Sequence, residues 1–162
     1  MSRNEKLDVI FAGDLRDLMV VSYIVLGNNA VTSRFIERTY QMPLHSWSSL
    51  YAINQFPGIR AKEIRAIFPR PQNTISRAIS LLESRGYVRQ EPSAADGREK
   101  WIFATAAGLE ILAEMTNYAR MRQAELFSPL SEAERQVFFD LSRKIAASSH
   151  LLQSDVMNQA DA

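Results

Sequence analysis

The sequence predicts a mostly α-helical protein carrying one small β-hairpin, and three observations lead there. Residues 14–40 and 106–127 hold long stretches with apolar residues at helical spacing. Pro43, Pro57, Pro69 and Pro129 cut the remaining helical sequence into short pieces. YVRQE and WIFAT are rich in aromatic and β-branched residues and flank the turn-forming stretch PSAADGREK, which describes a hairpin with a polar, basic tip.

Taken in order, the first element spans residues 14–40, with Leu15, Leu18, Ser22, Val25, Asn29, Thr32 and Ile36 near one stripe. Gly27, Asn28 and Asn29 are weak helix formers in its middle and mark a bend or a polar contact. A shorter helix over residues 46–55 follows Pro43 and is closed by Pro57-Gly58. RAKEIRAIF gives two helical turns with Ile64, Ile67 and Phe68 inward, stopped by Pro69. Pro71 suits the first position of the next helix, where its missing N–H costs nothing. That helix runs to about Arg85, and Gly86 is its left-handed terminator. After the hairpin, Leu109, Leu112, Ala113 and Thr116 set the inner stripe of a long helix. Ser131 and Glu134 then form the capping box of a last helix, whose apolar stripe is Val137, Phe138, Leu141 and Ile145. The terminal SDVMNQADA is expected to fray.

Composition narrows the function. The chain has 162 residues, enough for one domain with a helical extension, and a net charge of +1. The charge is unevenly spread: residues 60–100 hold nine basic and five acidic residues, a surplus of four, against a net −3 in the rest of the chain. Cysteine is absent, which excludes disulfides, thiolate nucleophiles and cysteine-based redox sensing. The first residues lack an uninterrupted apolar core of the signal-peptide kind, and no run reaches the ~18 apolar residues of a membrane span. A soluble, cytoplasmic protein is expected. His45 and His150 are far apart and have no metal-ligand spacing, so neither a metal site nor a cofactor is expected. No nucleophile elbow, phosphate loop or zinc-protease motif is present, which argues against an enzyme.

Helix, tight turn, helix and hairpin in succession describe a winged helix-turn-helix, with residues 71–85 as the recognition helix. Ile75, Ala78, Ile79 and Leu82 share one face of that helix; Asn73, Ser76, Arg77, Ser80 and Ser84 share the other. A face selected for helix stability would favour glutamate, lysine or alanine. Asparagine instead matches adenine N6 and N7, arginine matches guanine O6 and N7, and serine is short enough to let the backbone approach bases or phosphates. Thr74 lies at the flank, and Gln72 in the first turn is placed to help hold a phosphate. Arg98 at the wing tip suits a narrow minor groove, with Asp96 orienting it or capping the turn. Arg65, Arg70, Arg89 and Lys100 are further phosphate contacts on this reading.

From about Leu15 to Ile145 the chain resembles the MarR family of bacterial transcriptional regulators. Three motifs carry the resemblance: Leu82, Gly86, Val88 and Arg89 in LLESRGYVR, the wing's Asp96-Gly97-Arg98, and Thr105-Ala106-Ala107-Gly108 at the next helix start. It departs from the family pattern at Ile64-Arg65, where a leucine-alanine pair is common, and in the stiff Pro69-Arg70-Pro71 turn. The resemblance implies a homodimer held by interleaved N- and C-terminal dimerisation helices, residues 1–42 and 106–162, around a DNA-binding domain of residues 43–105. It also implies an effector, often aromatic or phenolic, in a crevice between the dimerisation helices and the DNA-binding lobe. Trp47 and Tyr51 would border that crevice, with Tyr23 and Asn28 or Asn29 completing it.

The function expected is a ligand-responsive repressor that binds double-stranded operator DNA as a dimer. A winged-helix protein-interaction module, or a small-molecule-binding protein without DNA activity, is the alternative.

Overall fold

A computed structural model describes residues 1–92 and 99–158. Its elements are α1 (Arg3–Phe11), α2 (Arg16–Tyr40), α3 (Leu44–Gln55), α4 (Ala61–Ile67), α5 (Gln72–Ser84), β1 (Val88–Pro92), β2 (Lys100–Ala104), α6 (Ala106–Leu126), α7 (Glu132–Ala146), a 3-10 turn (Ser149–Leu151) and α8 (Asp155–Asn158). They fall into two units, Met1–Tyr118 and a second beginning at Ala119.

The core of the first unit gathers one or two residues from each short element. Leu50 and Ile53 of α3, Ile64 of α4, Ile75 and Leu82 of α5, Val88 of β1 and Ile102 of β2 are all buried. Burying side chains of this size contributes about 1.5–3 kcal/mol each. α3 sits deep because its polar positions are small: Ser48 and Ser49 turn their hydroxyls onto the His45 carbonyl at 3.2 and 2.8 Å. β1 and β2 pair antiparallel, with Val88 opposite Ala104 and Arg89 opposite Phe103. Ile59 adds a single bridge to Ile102, and Gly58 N–H donates to the Ile102 carbonyl at 2.9 Å. The hairpin is thereby tied to the loop between α3 and α4.

α5 ends in a complete Schellman motif. Gly86 N–H donates to Glu83 and Tyr87 N–H to Leu82, both at 2.9 Å, with Gly86 at φ +71°. Thr105 then closes the next joint. Its N–H donates to the Tyr87 carbonyl at 3.0 Å, its hydroxyl donates to the Gly86 carbonyl at 2.5 Å, and the same hydroxyl accepts the Gly108 N–H at 3.1 Å. One threonine thus caps α6 and fastens it to the end of α5. Gly108 permits the approach, because a Cβ there would stand 2.0 Å from the Tyr87 carbonyl oxygen.

Several sequence expectations need correction. Residues 3–11 form a helix that the apolar pattern did not announce; Ser2 and Glu5 make its capping box. α2 is unbroken through Gly27, and the polar contact there is Thr32, whose hydroxyl donates to the Asn28 carbonyl at 2.8 Å. Of the stripe expected on α2, Ile36 is buried while Leu15, Leu18 and Val25 are exposed. Ile67 is exposed and Phe68 only half-buried, because α4 ends after two turns with Ile64 alone pointing inward. The inner face of α6 is Gly108, Leu112 and Met115, rotated from the expected stripe because the close contact at Gly108 fixes which side faces the lobe. Pro71 stands one position earlier than expected, as the cap of α5. Residues 155–158 are helical where fraying was expected. The capping box of Ser131 and Glu134 is present, and Ser131 N–H donates to Glu134 Oε2 at 2.8 Å.

Gly108→Ala is expected to destabilise the protein by at least about 1–3 kcal/mol, since the added methyl meets backbone rather than a movable side chain. Urea unfolding of the variant beside the parent measures it.

Candidate nucleic-acid interface

α5 divides as its sequence predicts. Ile75, Ala78, Ile79 and Leu82 are its buried residues, and Asn73, Ser76, Arg77 and Ser80 are exposed along the opposite edge. The short side chains of Asn73, Ser76 and Ser80 leave the backbone near the surface. Ser76 donates to the Gln72 carbonyl at 3.1 Å and Ser84 to Leu81 at 2.8 Å, so both hydroxyls keep their lone pairs free to accept. Thr74 is half-buried at the flank.

The start of α5 is braced from α4. Arg65 Nη1 donates to Gln72 Oε1 at 3.1 Å, across the exposed Pro69-Arg70-Pro71 turn. Arg70 also leaves an electrostatic mark on α3: burial first, and then the charge of Arg70, push the His45 imidazole below its ordinary pKa.

At the wing, Lys100 is exposed at the start of β2, opposite Pro92. Arg89 is more occupied. It pairs with Glu91, and its guanidinium lies 4.6 Å from the centre of the Phe103 ring across the hairpin. Asp96 and Arg98 lie outside the described residues.

Sequence reasoning missed the cluster at the root of the wing. Arg60 wraps around Glu63, donating from its backbone N–H at 2.9 Å, from Nε at 3.1 Å and from Nη2 at 2.9 Å. The same guanidinium reaches Glu99 at 2.7 Å, and Lys62 pairs with the other oxygen of Glu99. The base of β2 is thereby held to the first turn of α4. Hydrogen bonding from Arg60 lowers the Glu63 carboxyl to about 2, and Lys62 followed by Arg60 lowers that of Glu99. The Arg60/Glu63 spacing is visible in the sequence, but the partner 39 residues away is not.

The residues expected to border an effector are only partly brought together. Trp47 and Tyr51 lie one turn apart on α3, ring centres 5.9 Å apart. Trp47 packs against the core, and its indole N–H is buried without a hydrogen-bond partner among the described residues, as is the Ser46 hydroxyl. Tyr23 is committed elsewhere: its hydroxyl is hydrogen-bonded by Arg3 and its ring meets Phe11 edge-on at 5.9 Å, which docks α1 on α2. Asn28 and Asn29 are half-buried on α2.

Comparison with known proteins gives this geometry a context. The family model described as the MarR family matches residues 40–99, the stretch from the end of α2 to the root of β2. The transcriptional regulator HosA of Escherichia coli O157:H7 is 28% identical over 114 residues, which cover 70% of this chain and 84% of HosA. The chain is similar to the MarR family of transcriptional regulators over this stretch. Two solved MarR-like folds align over most of its length. The transcriptional regulator PcaV of Streptomyces coelicolor, in complex with its natural ligand, is 24% identical, with a TM-score of 0.60 over 67% of this chain and 77% of PcaV. BpsR of Bordetella bronchiseptica, whose DNA binding is regulated by 6-hydroxynicotinic acid, is 19% identical, with a TM-score of 0.72 over 81% of this chain and 93% of BpsR. In the MarR frame, α5 is the recognition helix and β1–β2 the wing.

Acid should loosen the wing root. Because Glu63 is held near 2 against an ordinary 4.5, its contribution is complete above the ordinary value and is lost as pH falls toward 2. Following the Glu63 carboxyl by NMR between pH 6 and 2 should show it ionised well below the ordinary range, and Glu63→Gln should flatten the drop in melting temperature over the same interval.

Proposed function

We propose that the protein is a cytoplasmic, ligand-responsive repressor that binds a pseudo-palindromic operator as a homodimer. α5 enters the major groove and the wing lies along the adjacent minor groove. The observation that carries this is the division of α5: four buried residues hold it to the lobe, and Asn73, Ser76, Arg77 and Ser80 line an exposed edge with hydrogen-bonding groups suited to base edges. Gln72, Thr74, Arg65, Arg70, Arg89 and Lys100 serve as DNA-backbone contacts on this reading, and the sequence adds Arg98 as a wing contact with Asp96 to orient it. The reading divides the chain into a DNA-binding domain of residues 43–105 between dimerisation segments 1–42 and 106–162.

The apolar surface of the terminal helices supports the dimer. Val137, Leu141 and Ile145 of α7 are each at least half exposed, as are Leu18 and Val25 of α2. An amphipathic helix with no buried residue of its own requires a partner surface. A two-fold dimer supplies it and sets two recognition helices roughly one DNA turn, 34–36 Å, apart.

The effector on this reading is a small aromatic or phenolic molecule. The buried indole N–H of Trp47 offers an unused donor, and Tyr51 beside it an aromatic face. Asn28 and Asn29 are further candidates on α2, while Tyr23, bonded to Arg3, would have to be released to take part. Binding that favours a wider spacing of the two lobes removes the DNA-competent population.

Gel-shift titration against the gene's own upstream region tests the proposal, and the absence of specific retardation of any upstream fragment would defeat it. Asn73→Ala and Arg77→Ala should each cost about 1–3 kcal/mol and relax specificity at one position per half-site. Lys100→Ala should weaken all sequences alike and lower the salt slope by about 1. Leu141→Asp should shift the sedimentation coefficient from dimer to monomer and abolish retardation together.

A further inference from the structure

Arg85 ends the recognition helix, and its side chain reaches away from it. Nη1 donates to the Tyr40 carbonyl at 2.6 Å and Nη2 to the Gln41 carbonyl at 2.8 Å. These carbonyls close α2, where backbone acceptors lack helical partners and the aligned peptide dipoles gather negative charge. A planar guanidinium satisfies two neighbouring acceptors with a fixed fork, which an ammonium does not.

The acceptor pair is itself held in place. Gln41 stands at φ +52°, alone among the described non-glycine residues in having a positive φ, and its N–H donates to the Glu37 carbonyl at 3.0 Å. Tyr40 is buried, and its hydroxyl donates to Glu114 on α6 at 2.9 Å. Burial, and then that carboxylate, raise the phenol well above its ordinary range, so it remains a donor. A continuous run of directional bonds therefore leads from the end of α5, through Arg85, to the last turn of α2 and on to α6. The apolar contacts of Ile75, Ala78, Ile79 and Leu82 are non-directional and fix the depth of α5 better than its angle.

We propose that Arg85 is a positioning residue that fixes the angle between α5 and α2 without touching DNA, and so decides which half-site spacing the dimer accepts. The second part rests on the DNA-binding function proposed above; the first does not.

The cysteine-free chain allows a direct test. Nitroxides introduced at the exposed positions Arg38→Cys and Ser80→Cys, in protein diluted with unlabelled chain, report the α2–α5 separation by double electron–electron resonance in the absence of DNA. The distribution should be narrow with Arg85 present, about twofold broader in Arg85→Met, and intermediate in Arg85→Lys. Unlabelled protein is then titrated on operator duplexes of natural half-site spacing and of spacing one base pair longer or shorter. Arg85→Met should lose roughly tenfold in affinity on the natural spacing and under about twofold on the altered ones, with an unchanged salt slope. Arg85→Lys carries the same test should Arg85→Met not fold. An unaltered distance distribution overturns the proposal. So does an equal loss on all three duplexes with the salt slope reduced by about 1, which marks a phosphate contact. Failure of the parent protein to bind any upstream duplex defeats the DNA-binding function, and the distance measurement still decides the role of Arg85.

Discussion

The rest of the first unit depends on one joint, where Thr105 meets Gly86 and Tyr87. It anchors the end of α5 to the start of α6. Here the hydroxyl of Thr105 gives its proton to the Gly86 carbonyl and takes the Gly108 N–H. The end of α5, the start of β1 and the first turn of α6 are thereby fixed together. Glycine is needed twice, for different reasons. Gly86 supplies a left-handed turn that a side chain resists, and Gly108 lets α6 approach the Tyr87 carbonyl to a distance that no Cβ allows. The threonine-x-x-glycine motif is therefore a geometric requirement of the joint.

What the joint makes possible is an exposed reading edge poor in helix formers. Asparagine and serine favour caps and turns over helix interiors. α5 carries Asn73, Ser76, Ser80 and Ser84 because its stability comes from elsewhere: four buried apolar side chains, a full Schellman termination and the Arg65–Gln72 bond at its start. The wing root follows the same logic. Its hairpin is too short to be stable alone, and the Arg60/Glu63/Glu99/Lys62 cluster with the Ile59–Ile102 bridge holds it to α4 and the loop before it.

Legibility in the sequence followed the range of the interaction. The two faces of α5 were readable residue by residue, since a 3.6-residue period, a cap and a terminating glycine are all local signals. The capping box of α7 was readable for the same reason. α1 escaped because its apolar residues form no stripe and none is buried; only Ser2 and Glu5 mark it. The stripe on α6 was misplaced by periodicity, which does not reveal which face of a helix a distant carbonyl demands. Arg85 and Tyr40 had no local signature, and Arg60 showed only its local partner Glu63. Their partners lie 39, 45 and 74 residues away, and any basic or aromatic residue on a surface helix looks alike until the fold brings them together. Arg89 shows the converse, a residue placed by its motif whose charge is largely engaged by Glu91 and Phe103.

Directional bonds are unevenly distributed in the molecule. The reading lobe is cross-linked by directional bonds at the start of α5, at its end and at the wing root, so a signal that loosened the lobe itself would have to break several at once. The long helices differ. α2 runs 25 residues with Gly27 in open space at its middle, and α7 buries none of its residues within one chain. The directional bonds thus concentrate at the two ends of α5 and at the wing root, where they hold the exposed edge of α5 in place.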